Sequence, residues 1–470
     1  MSMTSIGEYY ARRLSADALF GFSTLISVFS IVVLLWMIGL SYLVFRANPG
    51  KTENRFMALL LICEGLKASW IVADVFLYGS TWQGLWDYLW PAKINLFFGA
   101  HVISWLLYLS FPIYYRIEFL SFLYNPKLQQ HAWYLAPLIG LVAWLMISPL
   151  DGFRFQNSAW MVCTQAAVEA GAHPTIQSWW GEITPAMLER AEALGPCSRA
   201  YDFHVVDEPA GLWAIALMSP LISVIALFLL RSSMRQGKRK ENIDRKGVLT
   251  SRSLYIGFLG KVIGQMTYFA TLLIVFPLLN GGEFVDFAQN SIWQFGSDTT
   301  SQDRVMYFLW TFTLLFTPLA IAFEAMMFVH ASLKDTVYGI DENLRKTFRT
   351  AVFTSSGVVM FILGCELMES ALNLPGVYGG LVIGVAVLVV RKPVLGLIDG
   401  VSSQLIPSGY SEQETAYLNA YIAAMEDRII TPEERRLLDM LATSHSLDAK
   451  AVQAIESAYN SSLDLDSEEE

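Results

Sequence analysis

Long stretches almost free of charge recur along this chain, and they restrict it to one broad kind of fold. Several run to roughly twenty residues, the length that crosses the hydrocarbon core of a bilayer. Lipid offers no partner to a free backbone N–H or C=O, so a crossing segment is either a helix or part of a closed barrel. The alternation of apolar and polar residues over about ten positions that marks a barrel strand does not occur. The expectation is an all-α integral membrane protein. Charged residues make up only 16% of the chain, against about a quarter in a soluble domain.

Nine spans are expected, over 20–45, 56–78, 94–114, 133–148, 212–230, 254–279, 305–329, 351–371 and 375–390. The first run is too long for a signal-peptide core and lacks a small-residue cleavage site, so it reads as a retained span. Lysine and arginine then set the orientation. Arg46, Lys51 and Arg55 lie in the first connection, and Arg116 and Lys127 in the third. The fifth is the most basic, with Arg231, Arg235, Lys238, Arg239, Lys240, Arg245, Lys246 and Arg252. Lys334, Arg345, Lys346 and Arg349 occupy the seventh, and Arg391 with Lys392 follows the last span. This alternation places the amino terminus outside and the carboxyl terminus in the cytoplasm of a multi-pass protein of the cell membrane. The pair Arg12–Arg13 is the one counter-signal.

The domain plan follows. Residues 1–391 form the membrane domain, with a seven-helix part to about 331 and a two-helix hairpin over 350–391. Its exported loop, 150–209, holds Cys163 and Cys197, and export permits a disulfide between them. Thr184-Pro185 opens a short helix there and Gly195-Pro196 closes it. Trp82, Trp86 and Trp90, four apart, suggest an interfacial helix before the third span. Residues 392–407 read as an amphipathic segment on the inner surface, and 408–460 as a small cytoplasmic helical domain. In that domain Ser411–Glu414 and Thr431–Glu434 are capping boxes, while Leu437, Leu438 and Leu441, then Val452, Ile455 and Tyr459, give two helices apolar faces. Residues 461–470 form an acidic, disordered tail.

Soluble catalytic signatures are missing. The chain has no phosphate-binding Gly-x-x-x-x-Gly-Lys loop, no His-Glu-x-x-His pair and no dinucleotide glycine fingerprint. Its six histidines lack metal-ligand spacing. No enzyme activity, cofactor or metal is expected, and a net charge of −10 argues against nucleic acid. The anomaly lies inside the spans, where each ionisable group costs about 2.5–3.5 kcal/mol at the bilayer centre. An inner layer comprises Glu64, Lys67, Lys261 and Glu324; an outer layer comprises Asp74, Lys93, Glu366 and Glu369, with His101 somewhat deeper. Glu64 and Lys67 are three apart on one helix face, and Lys261 and Glu324 sit at similar depth on consecutive spans. These groups are either a polar interior for a ligand or a proton relay, or structural ion pairs.

The run FRANPGKTENRFMALLLICEGLKASW, together with seven spans in an N-out arrangement, resembles the seven-helix sensor region that precedes the kinase core in some membrane histidine kinases. No phospho-acceptor or ATP-binding boxes follow it here. The tail run AMEDRIITPEERRLLDMLA resembles the helical repeat of tellurite-resistance TerB-type domains. It also resembles the exit half of an EF-hand, but only Asp427 and Glu434 stand in comparable places and the glycine is lacking, so calcium is not expected. The resemblance to the sensor region implies a receptor-like role, with the tail, 408–460, passing a signal to a cytoplasmic protein partner. A secondary transporter or channel using the buried charges is the alternative, and a membrane assembly or scaffold factor is a third.

Overall fold

A computed structural model describes residues 22–69, 83–115, 117–154, 158–180, 182–193, 195–197, 201–206, 210–237, 245–279, 301–333, 376–405, 412–425, 430–449, 451–453 and 455–456, with short pieces of 346–365. The membrane domain is built from α1 (Phe22–Ala47), α2 (Thr52–Ala68), α3 (Gln83–Leu109), α4 (Pro126–Ile147), α7 (Ala210–Gly237), α8 (Arg245–Ala270), α9 (Ser301–Leu333) and α10 (Gly376–Leu405). Among the described residues six helices are long and apolar enough to cross a membrane: α1, α4, α7, α8 with its extension to Leu279, α9 and α10. Their outward faces carry large exposed apolar side chains such as Leu35, Leu138, Phe228 and Leu388. Water would penalise such a surface and lipid accepts it.

α2 is the centre of the bundle. It is buried nearly all round, from Asn54 to Ala68, as expected of a helix enclosed by others. Ser41 of α1 donates to the Ala58 carbonyl at 2.8 Å, and Asn54 donates to the Val44 carbonyl at 2.9 Å, so side chains fasten α1 to α2 on either side of the Asn48–Gly50 turn. A second close pair is α8 with α9. Gly257, Gly260 and Gly264 face Met327, Phe323 and Ala320 in antiparallel order, and a Cβ on Gly264 would lie 2.5 Å from the Ala320 Cβ. Small residues that let backbones approach are the usual device of helix contact in lipid. α8 continues through a π-turn, Thr271–Val275.

Several boundaries differ from the expectation. α3 begins at Gln83, so Trp86 and Trp90 lie on its first turns and not on a separate interfacial helix; Trp82 lies outside the described residues. The fourth span is a full helix of 22 residues, because Asn125 caps it and Pro126 occupies its first position. α10 runs for 30 residues through Pro393, so 392–405 of the segment expected at 392–407 continue the helix that opens at Gly376, and 406–407 lie outside the described residues. Against α10 pack the pieces of 346–365: Gly380 sits where a Cβ would meet Phe361 and Cys365.

The loop after α4 adds a small sheet to a chain whose described residues are otherwise largely helical, so the all-α class of the membrane protein stands. It forms a three-stranded antiparallel sheet, order β2-β1-β3, from β1 (Ser158–Cys163), β2 (Thr175–Trp180) and β3 (Tyr201–Val206). Ala159, Met161 and Cys163 alternate inward along β1 and are buried, the period of a strand with one covered face. α5 (Gln165–Ala170) and α6 (Pro185–Ala193) complete the cap. A disulfide joins Cys163 to Cys197 across 34 residues.

The tail has its own core. α11 (Glu412–Ala424) and α12 (Pro432–Ser444) bury Tyr417, Leu418, Tyr421, Leu438 and Ala442 together with Ile455. Thr431 and Glu434 form the reciprocal capping box at the start of α12. Leu437, expected on the buried face, is 61% exposed, and Ala442 takes its place inside. Tyr459 lies outside the described residues. Glu456 accepts from the Tyr417 hydroxyl at 2.5 Å and from Arg435 at 2.8 Å, tying all three tail segments. Burial and the Glu456 carboxylate both push the Tyr417 phenol above its ordinary range, so it remains a donor.

Candidate functional site

Four ionisable residues meet in the bundle interior, drawn from three helices. α2 supplies Glu64 and Lys67, α8 supplies Lys261 and α9 supplies Glu324. The glycine face that draws α8 onto α9 places Lys261 beside Glu324, since 261 lies between Gly260 and Gly264 and 324 lies next to Phe323. Gly65 lets α1 approach α2, where a Cβ would stand 3.0 Å from that of Met37.

Lys261 bridges two carboxylates, with Nζ 2.9 Å from Glu64 Oε2 and 2.8 Å from Glu324 Oε2. Lys67 pairs with the other oxygen of Glu64. The result is a chain of alternating sign, Lys67–Glu64–Lys261–Glu324, with no net charge. Both ends are capped. Lys67 donates to Ser104 Oγ at 2.9 Å, and Ser104 passes a hydrogen bond to the His101 carbonyl at 2.9 Å. At the other end Tyr108 accepts from Lys261 and donates to Glu324 Oε2 at 3.0 Å. The Tyr108 ring also lies 4.2 Å from Lys261 Nζ, within cation–π range. α3 therefore joins the site as its fourth helix. The four ionisable side chains are at most 2% exposed.

Lys261 stands eleven residues, about 16 Å at the helical rise, from the Thr250 end of the apolar stretch Thr250–Leu279, well inside a segment long enough to cross a core about 30 Å thick. There a charge is costly, and net neutrality with full pairing offsets that cost.

An aromatic plug closes one side. Phe56, Phe111, Phe258 and Phe328 pack ring to ring at centroid distances of 5.1–5.4 Å, and Tyr108 stacks edge-on to Phe258 at 5.4 Å. These rings lie toward the ends of α7 and α8 that carry Arg231, Arg245, Lys246 and Arg252. Beyond the plug, His330 of α9 shares a hydrogen bond with Ser253 at 2.8 Å.

Of the residues singled out in the sequence, the structure brings together Glu64, Lys67, Lys261 and Glu324. His101 is buried on α3 with Nδ1 2.9 Å from the Phe97 carbonyl, and it meets the cluster only through its backbone oxygen and Ser104. Lys93 falls on α3; Asp74, Glu366 and Glu369 lie outside the described residues. Tyr108 and Ser104 were not singled out, because neutral hydroxyls in an apolar run carry no charge signal. Their spacing from His101 held a hint, since 101, 104 and 108 share one helix face. Among the described residues no group of three or more His, Cys, Asp or Glu is placed to hold a metal ion.

The fold and site define a class: a multi-pass helical membrane protein, by the length and composition of its helices, with a neutral ionic chain locked at its centre. Comparison with protein-family models, curated proteins and solved structures found no match.

Proposed function

We propose that the chain is a non-enzymatic, receptor-like sensor of the cell membrane. In this reading it has nine spans, its cap outside, and its tail in the cytoplasm passing a signal to a protein partner through 408–460. The observation that carries the reading is the capped chain of alternating charges behind an aromatic plug. It ties α2, α3, α8 and α9 into one unit, and a central ionic network of this kind is an element that can hold one helix arrangement against another. Ionisable groups on a transport path face a water-filled cavity, whereas these four are sealed. The cap with its disulfide and the tail with its separate core supply a receiving and a delivering end. The resemblances to the seven-helix sensor region and to TerB-type repeats agree with this reading.

The transporter reading is favoured by one observation, the presence of paired carboxylates and lysines in the bundle interior. Reconstitution into sealed vesicles separates the two. The sensor reading expects no proton flux under an imposed pH gradient in wild type. It also expects a changed distance between spin labels on α9 and α12 in Lys261→Met. A proton flux abolished by Lys261→Met, with label distances unchanged, overturns the sensor reading.

A further inference from the structure

A cavity of about 110 Å³ lies beside the plug, between α7 and the short helical turns that follow α3. Tyr108, Phe111, Ile225, Ala226, Leu230 and Phe258 are among its walls. The lining is apolar but for the phenol edge of Tyr108, whose hydroxyl is already engaged by Lys261 and Glu324. Water needs two to four polar partners to settle in such a space, and no lining side chain but Tyr108 carries a polar group. The size is that of an apolar cavity that takes benzene or xenon, about 150 Å³, so it holds a short length of hydrocarbon.

The cavity opens sideways. Ile225 and Leu109, both in its wall, are 44% and 55% exposed on the outer face of the bundle, the face that lipid covers. It also sits at the basic end of the spans. Arg231 follows directly on the wall residue Leu230, and Lys127 stands four residues after the wall residue Leu123; both cations are exposed. An apolar slot open to the bilayer, with two cations where the apolar surface ends, matches a single molecule that has a hydrocarbon chain and an anionic head.

We infer that this cavity is a binding site for the acyl chain of an anionic phospholipid, with the chain against Tyr108 and Phe258 and the headgroup near Arg231 and Lys127. The site stands independently of whether the bundle signals. It is distinct from the bulk lipid belt because the chain enters between helices and does not merely lie along one.

The test uses the full chain in vesicles of phosphatidylcholine and phosphatidylglycerol, with a trace of either lipid carrying a diazirine on its acyl chain. After illumination, labelled peptides are quantified by mass spectrometry. The expected result is labelling of 222–230 at least fivefold above that of the more exposed stretch 217–221 on the same helix. It falls to the level of that stretch in Ala226→Phe, which fills the cavity from a wall residue. The phosphatidylglycerol probe labels at least threefold more than the phosphatidylcholine probe, and Arg231→Gln with Lys127→Gln removes that preference. If Ala226→Phe melts below wild type, Ala226→Leu replaces it with the same expectation. Even labelling along α7, or labelling unchanged by a folded cavity-filling variant, overturns the site. Equal labelling by the two probes overturns the anionic headgroup.

Discussion

Replacing Lys261 with Met exposes how the central chain is held together. The side chain is fully buried and is the only cation that contacts Glu324 among the described residues. Its loss leaves Glu64 paired with Lys67, while Glu324 keeps only the Tyr108 hydroxyl. An uncompensated carboxylate then remains buried in the bundle interior, and breaking one side of a buried pair costs about 3–5 kcal/mol. Glu324→Gln alone leaves a net positive charge, but Lys261 retains Glu64 at 2.9 Å, so its cost falls near the lower end of that range. The double variant restores neutrality, with Glu64 and Lys67 still paired. It is expected to cost about 3 kcal/mol less than the sum of the single changes, the upper end of coupling between contacting residues. The assay is unfolding in mixed micelles titrated with sodium dodecyl sulfate, followed by tryptophan fluorescence, with free energies taken from the midpoints of all four proteins. Additivity within about 0.5 kcal/mol would refute the reasoning, because it would mean that the two groups do not share one network.

Three further outcomes are expected. Gly264→Val should destabilise by about 1–3 kcal/mol through overpacking, since its Cβ would stand 2.5 Å from that of Ala320, whereas Gly384→Ala, inside a helix with nothing within 4 Å, should not destabilise and should gain up to about 1 kcal/mol in the same titration. Cys163→Ser with Cys197→Ser should remove about 4 kcal/mol from the cap, the loop-closure term for this separation, read as faster proteolysis within 150–209 while the spans stay intact. In the tail, Leu438→Asp should abolish protease resistance of 412–456, because Leu438 is 3% exposed. Leu437→Asp, at a position 61% exposed, should shift it little.

Much of the membrane architecture can be read directly from residue order. Spans of α1, α7, α8 and α9 coincide with runs almost free of charge, because lipid leaves the backbone no alternative to a helix. The capping box at Thr431 and the helix opening at Pro185 are equally local, since both satisfy or remove backbone donors within a few residues. Other features lay beyond that reading. The strands of the cap are six residues each; β1 buries alternate residues and pairs with partners up to 48 positions away, as Ser158 does with Val206, and so short a pattern carries no clear period alone. Which face of α12 turns inward was likewise decided by Tyr417 and Ile455, not by the apolar content of α12 itself.

The charged residues show the division most plainly. Composition and depth alone single out Glu64, Lys67, Lys261 and Glu324, because a charge in an apolar run demands a partner wherever the chain takes it. The neighbour in sequence, three positions along one helix, is also local knowledge. That Lys261 reaches Glu64 as well as Glu324, joining two pairs into one chain, depends on how closely glycine allows α8 to approach α9 and on where α2 sits among its neighbours. Hydrogen-bond geometry is fixed to tenths of an ångström, a precision that arises only when helices distant in sequence are packed together.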